Sequence, residues 1–253
     1  MPLWLNAYCF GEILDLKNKV VLITGGAVRI GRAISVELIN AGANVFCHYN
    51  RSENQALDLK KEYPHVNLLK GDLKKINTTH SLVFKVIEKA GTIDVLINNA
   101  AIFKKTPFGS VSEEDWDNLF TTNLKPHFFL SQEASKIMLR NQSGKIVNIA
   151  DTSGLRPWPS YIPYSLTKSG MINLTKGLAK ALAPNIQVNC INPGPVLMPD
   201  TYSEEQITQA IEKTLLKRAG KAEDISAAVR FLLEDGDYMT GVILSVDGGR
   251  SIK

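Results

Sequence analysis

Tyr164 and Lys168 stand four residues apart at the head of a helical pattern, YSLTKSGMINLTKGLAKAL. That spacing sets both side chains on one helix face, an ammonium beside a phenol. A neighbouring positive charge favours the phenolate and lowers the tyrosine pKa from its reference of about 10, so the phenol can trade protons near neutral pH. Asp151 precedes the tyrosine by thirteen residues. A carboxyl there can donate a proton if burial raises its pKa, or accept one if it stays charged. Ser153, two residues on, is the other polar candidate for that place. Asn123 comes from SEEDWDNLFTTNLKPHFFL, where Ser112 and Asp115 have the form of a capping box. Pro126 lacks an N–H and crowds the carbonyl of Thr122. The helix is therefore expected to distort around Asn123 and expose a backbone acceptor, where a water can link to Lys168.

A second constellation suits phosphate. The run KVVLIT leads into TGGAVRIGRAI and then a helix. Gly25 and Gly26 allow a tight turn, and Gly31 lets the helix start approach both the strand and a pyrophosphate. The backbone around Gly25, Arg29, Ile30 and Gly31 then offers N–H groups and a helix dipole to the anion. Arg29 stands where the TGxxxGxG spacing has its middle glycine. An NAD site carries an acid about 20 residues further on, to hold the ribose 2′-OH. Here the second strand ends in His48, Tyr49, Asn50, Arg51 and Ser52, and no acid lies between Glu37 and Glu53. An arginine and a serine in place of the acid suit a 2′-phosphate, with Arg29 adding a second positive charge. The expected cofactor is NADP(H).

These residues need a scaffold, and the pattern supplies one. β-branched runs at 19–24, 43–49, 66–70, 93–97, 145–150, 186–191 and 242–246 alternate with helical segments such as RAISVELINAG and SLVFKVIEKAG. The runs are continuously apolar, as in strands buried on both faces. The expected fold is α/β: one doubly wound Rossmann-type domain, a seven-stranded mostly parallel sheet with helices on both faces. That domain covers 16–253, after an extension at 1–15, with a substrate lid near 195–217. The 253 residues are 44% hydrophobic and 21% charged, with a net charge of +4 spread along the chain. No basic cluster marks nucleic acid or a membrane surface, and no apolar run approaches a membrane span. Three cysteines without CxxC spacing, Cys9, Cys47 and Cys190, argue against a disulfide framework or a metal site. A reducing, cytoplasmic setting is expected.

TGGAVRIG, GDL at 71–73, NNA at 98–100, Asn123, YSLTK, NPGP at 192–195 and YMTGVILSVDGG at 238–249, in that order, resemble the short-chain dehydrogenase/reductase family. The resemblance covers residues 16–253. It implies that Tyr164 is the catalytic acid/base, that Lys168 lowers its pKa and grips the nicotinamide ribose, and that Asn123 supports a water relay. It places Asp72 and Leu73 at the adenine, Asn99, Ala100 and Ala101 at the adjoining ribose, and Pro193 and Gly194 at the nicotinamide. It also implies a homotetramer acting on a small molecule.

Most members carry serine where this chain has Asp151. An ionised carboxylate beside a ketone oxygen repels the developing alkoxide, whereas reduction of a C=N bond needs a proton delivered to nitrogen. The arrangement is similar to pteridine and dihydromonapterin reductases of the family, which share an arginine like Arg29 and an ending like His48–Ser52. In that branch Phe103 is the aromatic that stacks on a flat pterin, so Phe103, Asp151 and Tyr164 are the expected substrate contacts. An arginine from a neighbouring chain's tail can approach the site in that branch, and Arg250 is its candidate here. The expected activity is NADPH-dependent reduction of a dihydropterin. The alternatives are a carbonyl reductase acting on 3-oxoacyl carriers and a non-catalytic NADP(H)-binding sensor.

Overall fold

The computed structural model describes residues 14–198 and 202–253, so most of the 1–15 extension and part of the lid lie outside it. All seven expected strands form: β1 (Val20–Ile23), β2 (Asn44–Tyr49), β3 (Asn67–Lys70), β4 (Val95–Asn98), β5 (Gly144–Ile149), β6 (Ile186–Pro193) and β7 (Ile243–Val246). They make one sheet in the order β3-β2-β1-β4-β5-β6-β7. Every pairing is parallel, so the expected "mostly parallel" sheet is wholly so. The order reverses between β1 and β4, which opens a crevice beyond their carboxyl ends.

Helices cover both faces, which explains why the strands lack polar alternation. On one face α1 (Arg29–Asn40) and α8 (Ala222–Glu234) pack with each other and with Val21, Ile23, Val45 and Ile97. On the other, α3 (Ile76–Ala90) and α5 (Lys125–Arg140) pack over Leu22, Phe46, Leu96 and Ile146. Leu22, Phe46 and Leu96 are fully enclosed, each worth about 1.5–3 kcal/mol of apolar burial. α2 (Glu53–Glu62) flanks β2 and β3, and α6 (Ile162–Leu182) lies along β6.

α4 (Glu113–Asn123) opens with Ser112 Oγ accepting the Asp115 N–H at 3.1 Å. Only this half of the expected capping box forms, because the Asp115 carboxylate turns to Lys104. The distortion expected near Asn123 is a complete break. Leu124 leaves helical geometry (φ −129°), and Pro126 sits in the first turn of α5, where its missing N–H costs nothing.

Candidate active site

A cleft of about 1270 Å³ lies over the carboxyl ends of the strands and reaches from the end of β2 to α7 (Glu204–Glu212). Tyr164 and Lys168 enter it from the first two turns of α6, whose Pro163 suits a helix start. Asp151 enters from the end of β5, just before the short turn Thr152–Gly154. Tyr164 Oη donates to Asp151 Oδ2 at 3.3 Å, and the Ser153 N–H holds Asp151 Oδ1 at 2.7 Å. The carboxylate therefore faces the phenol, while Ser153 is fully buried and serves as its backbone anchor. Lys168 Nζ donates to the Ile149 carbonyl at 3.0 Å and sits 5.8 Å from the Tyr164 ring centroid.

The expected lowering of the tyrosine pKa is reversed. Burial removes water from the phenolate, and the Asp151 carboxylate then opposes it, so Tyr164 rises well above its ordinary value. Burial also raises Asp151 and lowers Lys168. The hydrogen bond that Lys168 Nζ makes goes to the Ile149 carbonyl, so burial, with the hydrogen-bonded carboxylate, prevails at the phenol. Tyr164 is thus a protonated donor with a carboxyl partner.

The Asn123 side chain is not free for a relay. Its Oδ1 accepts the Ile102 N–H at 2.8 Å, and its Nδ2 donates to the Ile102 carbonyl at 2.9 Å and Thr167 Oγ1 at 3.4 Å. It braces the segment that carries Phe103. The backbone breaks as expected, but Asn123 stays fully buried and exposes no acceptor: the His127 N–H, which a continuous helix would give to Asn123, bonds Leu124 O at 3.2 Å instead. That change releases the Asn123 carbonyl from the helix ladder.

The glycine turn is held from behind. Gly25 N–H donates to His48 Nδ1 at 3.2 Å, and His48 Nε2 faces the Gly71 carbonyl at 3.1 Å. Burial pushes His48 down to about 4, which fixes a neutral ring with its proton on Nε2. His48 is a strut joining the ends of β1, β2 and β3. Asn99 Nδ2 donates to the carbonyls of Thr24 (2.9 Å) and Gly25 (3.1 Å). A Cβ on Gly31 would lie 2.0 Å from the Gly25 carbonyl, so the close approach needs glycine. α1 has no side-chain cap and no acid in its first turn, which leaves its N–H groups and positive dipole end to an anion. With Arg51 exposed and Ser52 half-buried in the β2–α2 turn, and no carboxylate there, these residues fit a phosphorylated dinucleotide.

Arg29 adopts a left-handed φ of 53°, as its glycine-like place in the motif demands. Its guanidinium, expected near the 2′-phosphate, bonds the Leu197 carbonyl of the lid segment instead. Asp72 accepts from Asn50 Nδ2 at 3.4 Å and from the Lys74 N–H at 3.1 Å. Ile30, Tyr49, Leu73, Ala100, Ala101, Pro193 and Gly194 also line the cleft.

At the far end Phe103, 40% exposed, stacks on Tyr161 (centroids 4.6 Å apart, planes at 10°). It meets Tyr164 edge-on at 4.9 Å and Trp158 at 6.3 Å. Tyr161, Trp158 and Tyr202, whose hydroxyl is 3.4 Å from that of Tyr161, escape the motif reading. The signal for Trp158 and Tyr161 is the aromatic density of RPWPSYIPY. Arg250 lines the cleft of its own chain, with Cζ 5.3 Å from the Trp158 ring centroid. A buried network also goes unread. Asn98 donates to Ser131 Oγ (3.0 Å) and Asn148 Oδ1 (2.9 Å), and His127 bonds the Ala100 carbonyl at 2.8 Å. The asparagines inside VLINNA and KIVNIA are its trace in the sequence.

Among the described residues no cluster of His, Cys, Asp or Glu can hold a metal, and no helix is long and apolar enough to cross a membrane.

Residues 26–251 match the family model described as enoyl-(acyl carrier protein) reductase. The chain is 35% identical over 245 residues to the 3-oxoacyl-[acyl-carrier-protein] reductase FabG of Staphylococcus epidermidis, covering 92% of this chain and 98% of that protein. The FabG of Thermotoga maritima is also 35% identical over 245 residues, with 93% and 99% covered. Among solved structures, a double mutant of a Serratia marcescens short-chain dehydrogenase/reductase superposes with a TM-score of 0.88 at 32% identity, over 94% of this chain and 100% of that one. FolM alternative dihydrofolate reductase 1 from Brucella canis, complexed with NADP, superposes with a TM-score of 0.88 at 31% identity, over 94% and 96%.

Proposed function

The chain belongs to the short-chain dehydrogenase/reductase family of oxidoreductases, and within it we propose an NADPH-dependent reductase of a C=N bond in a dihydropterin-like ring. The observation that carries this reading is the Tyr164–Asp151 contact of 3.3 Å. A carboxyl at the phenol opposes an alkoxide growing on a ketone oxygen, but it suits a ring nitrogen that must gain a proton and whose neighbouring N–H groups need an acceptor. The FolM neighbour complexed with NADP supports the same direction.

NADP(H), when bound, supplies the hydride. The Gly25–Gly31 turn and the start of α1 hold its pyrophosphate, Arg51 and Ser52 its 2′-phosphate, and Asp72, Asn99 and Pro193–Gly194 border its remaining parts. Phe103 offers the substrate a flat face. Tyr164 gives its proton, and Asp151 orients the phenol and accepts a substrate N–H. Lys168, fixed on the Ile149 carbonyl and lining the cleft, is the group beside the phenol from which reprotonation can proceed.

A second reading, a 3-oxoacyl-carrier reductase, is favoured by the FabG relatives at 35% identity. The deciding experiment measures NADPH oxidation with dihydrobiopterin, dihydromonapterin, dihydrofolate and a β-ketoacyl thioester in parallel. The pterin reading expects at least one dihydropterin to exceed the thioester in kcat/KM by about a hundredfold, on the order of 3 kcal/mol in transition-state stabilisation. A preference for the thioester would replace it.

We place the protein in the cytoplasm, on its cysteine usage, and in a homotetramer. Trp116 stacked on Phe120, and Phe128 against Phe129, put partly exposed aromatics on the adjoining helices α4 and α5, an apolar face that suits subunit contact. Sedimentation at micromolar concentration should give four times the chain mass; a monomer would remove this part.

A further inference from the structure

Beyond Phe103, the cleft ends at a cation held in place by the chain's own carboxyl-terminal residues. Asp247 receives the N–H groups of Gly249 (2.9 Å) and Ser251 (2.8 Å), closing a short turn that fixes Arg250. Arg156 donates to the carbonyls of Arg250 (3.4 Å) and Ser251 (3.5 Å) from the outer side. The Arg250 guanidinium lies 5.3 Å from the centroid of Trp158 and donates Nη1 to the Ala210 carbonyl of α7 at 3.0 Å. Among the described residues its hydrogen bond is to a carbonyl rather than to a carboxylate. A guanidinium carries five donors in a fixed fork, so a fixed and stacked arginine with one such bond keeps most of its capacity for a further acceptor.

The charge lining the cleft is mostly positive, although the carboxylates of Asp151 and Asp247 both act on Arg250. Among the described residues, lysines and arginines lining the cleft number eight, against two carboxylates, Asp72 and Asp151. Asp72 belongs to the β2 end and Asp151 faces the phenol, so neither neutralises Arg250 through a direct bond. Lys104 is paired with Asp115, whereas Lys105 and Lys213 add to the positive field beside the aromatic end. Trp158 touches both Phe103, with centroids 6.3 Å apart, and Arg250. The flat aromatic surface and the guanidinium are thus separated by about one indole.

We infer that Arg250 is a specificity-determining residue that binds a carboxylate or phosphate on the substrate, beyond the ring that Phe103 receives. The inference rests on assigning the Phe103 end of the cleft to the substrate, as the proposed function does, but it holds for either substrate class. For a pterin it selects molecules with an anionic tail over uncharged ones. For a 3-oxo compound it selects the free acid over the ester. A bidentate guanidinium–carboxylate pair against Trp158 gives both charge and geometry.

The test is equilibrium binding to the NADP⁺-saturated enzyme, by calorimetry, of two ligand pairs that differ only in charge. One pair is dihydrofolate and its dimethyl ester; the other is acetoacetate and its methyl ester. The anionic member of at least one pair should bind about tenfold tighter or more. In Arg250→Gln that ratio should fall close to one, and Arg250→Lys, which keeps the charge and loses the fork, should recover only part of it. NADP⁺ affinity in each variant verifies the fold. Equal affinity for acid and ester in both pairs, or a ratio that survives in Arg250→Gln, overturns the inference. The turnover panel fails separately: a thioester preference there removes the pterin reading, while the acetoacetate pair still decides the role of Arg250.

Discussion

At the residue scale, the chemistry depends on which neighbour reaches the phenol. The YSLTK spacing promises an ammonium at Tyr164, and the folded site instead brings a carboxyl to the hydroxyl at 3.3 Å and leaves Lys168 beside the ring. Helical spacing predicts that two side chains share a face, but not which atoms of them meet. Asp151, just beyond β5, was legible from its thirteen-residue interval to the tyrosine, but its direct contact with the hydroxyl was not. Tyr164→Phe keeps the ring packed on Phe103 and removes only the hydroxyl, so kcat should fall about 10²–10⁴-fold with NADPH affinity nearly intact; equal turnover would defeat the assignment. Asp151→Ser should lower kcat/KM for a dihydropterin by at least about tenfold while cofactor affinity holds. Unchanged pterin kinetics would leave the carboxyl incidental.

At the element scale, the seven strands and the crossover helices were legible because burial on both faces writes itself as continuous apolar runs, and the glycine turn because close approach admits no side chain. Asn123 was legible as a position but not as a role. Pro126 announces a disturbed helix, and only the fold shows the side-chain amide bracing Ile102. Arg29 was similarly read as a charge, while its reach to Leu197 depends on a lid 168 residues away. Gly31→Ala tests how far the turn can yield. Its new Cβ would meet the Gly25 carbonyl at 2.0 Å and Asn99 Nδ2 at 2.6 Å, both fixed by strands. The substitution should cost about 1–3 kcal/mol of stability and weaken NADPH binding at least tenfold, read by denaturant unfolding and fluorescence titration. Binding at full strength would mean that the loop opens freely.

For the whole molecule, the two buried histidines set an acid limit. Burial holds His48 at about 4 and His127 at about 3, against 6.5 for the exposed side chain. The folded state therefore binds these protons more weakly than the unfolded chain. Their contribution is complete above pH 6.5 and is lost as pH falls toward 4. At pH 5 the loss is about 2 kcal/mol for each. Asp151, raised by burial, acts in the opposite direction and offsets a part. Urea midpoints at pH 7 and pH 5 should show the drop, and His127→Gln should remove a share of it; a flat profile in the parent protein would refute the assignment. The two ends of the cleft also come from opposite ends of the chain. The phosphate cradle is written between Gly25 and Ala101, and the guanidinium against Trp158 comes from Arg250. During synthesis at about 5–20 residues per second, the segments that cradle the phosphates leave the ribosome on the order of 10–30 s before that arginine. The phosphate cradle is thus made while the arginine that discriminates between substrates is still untranslated.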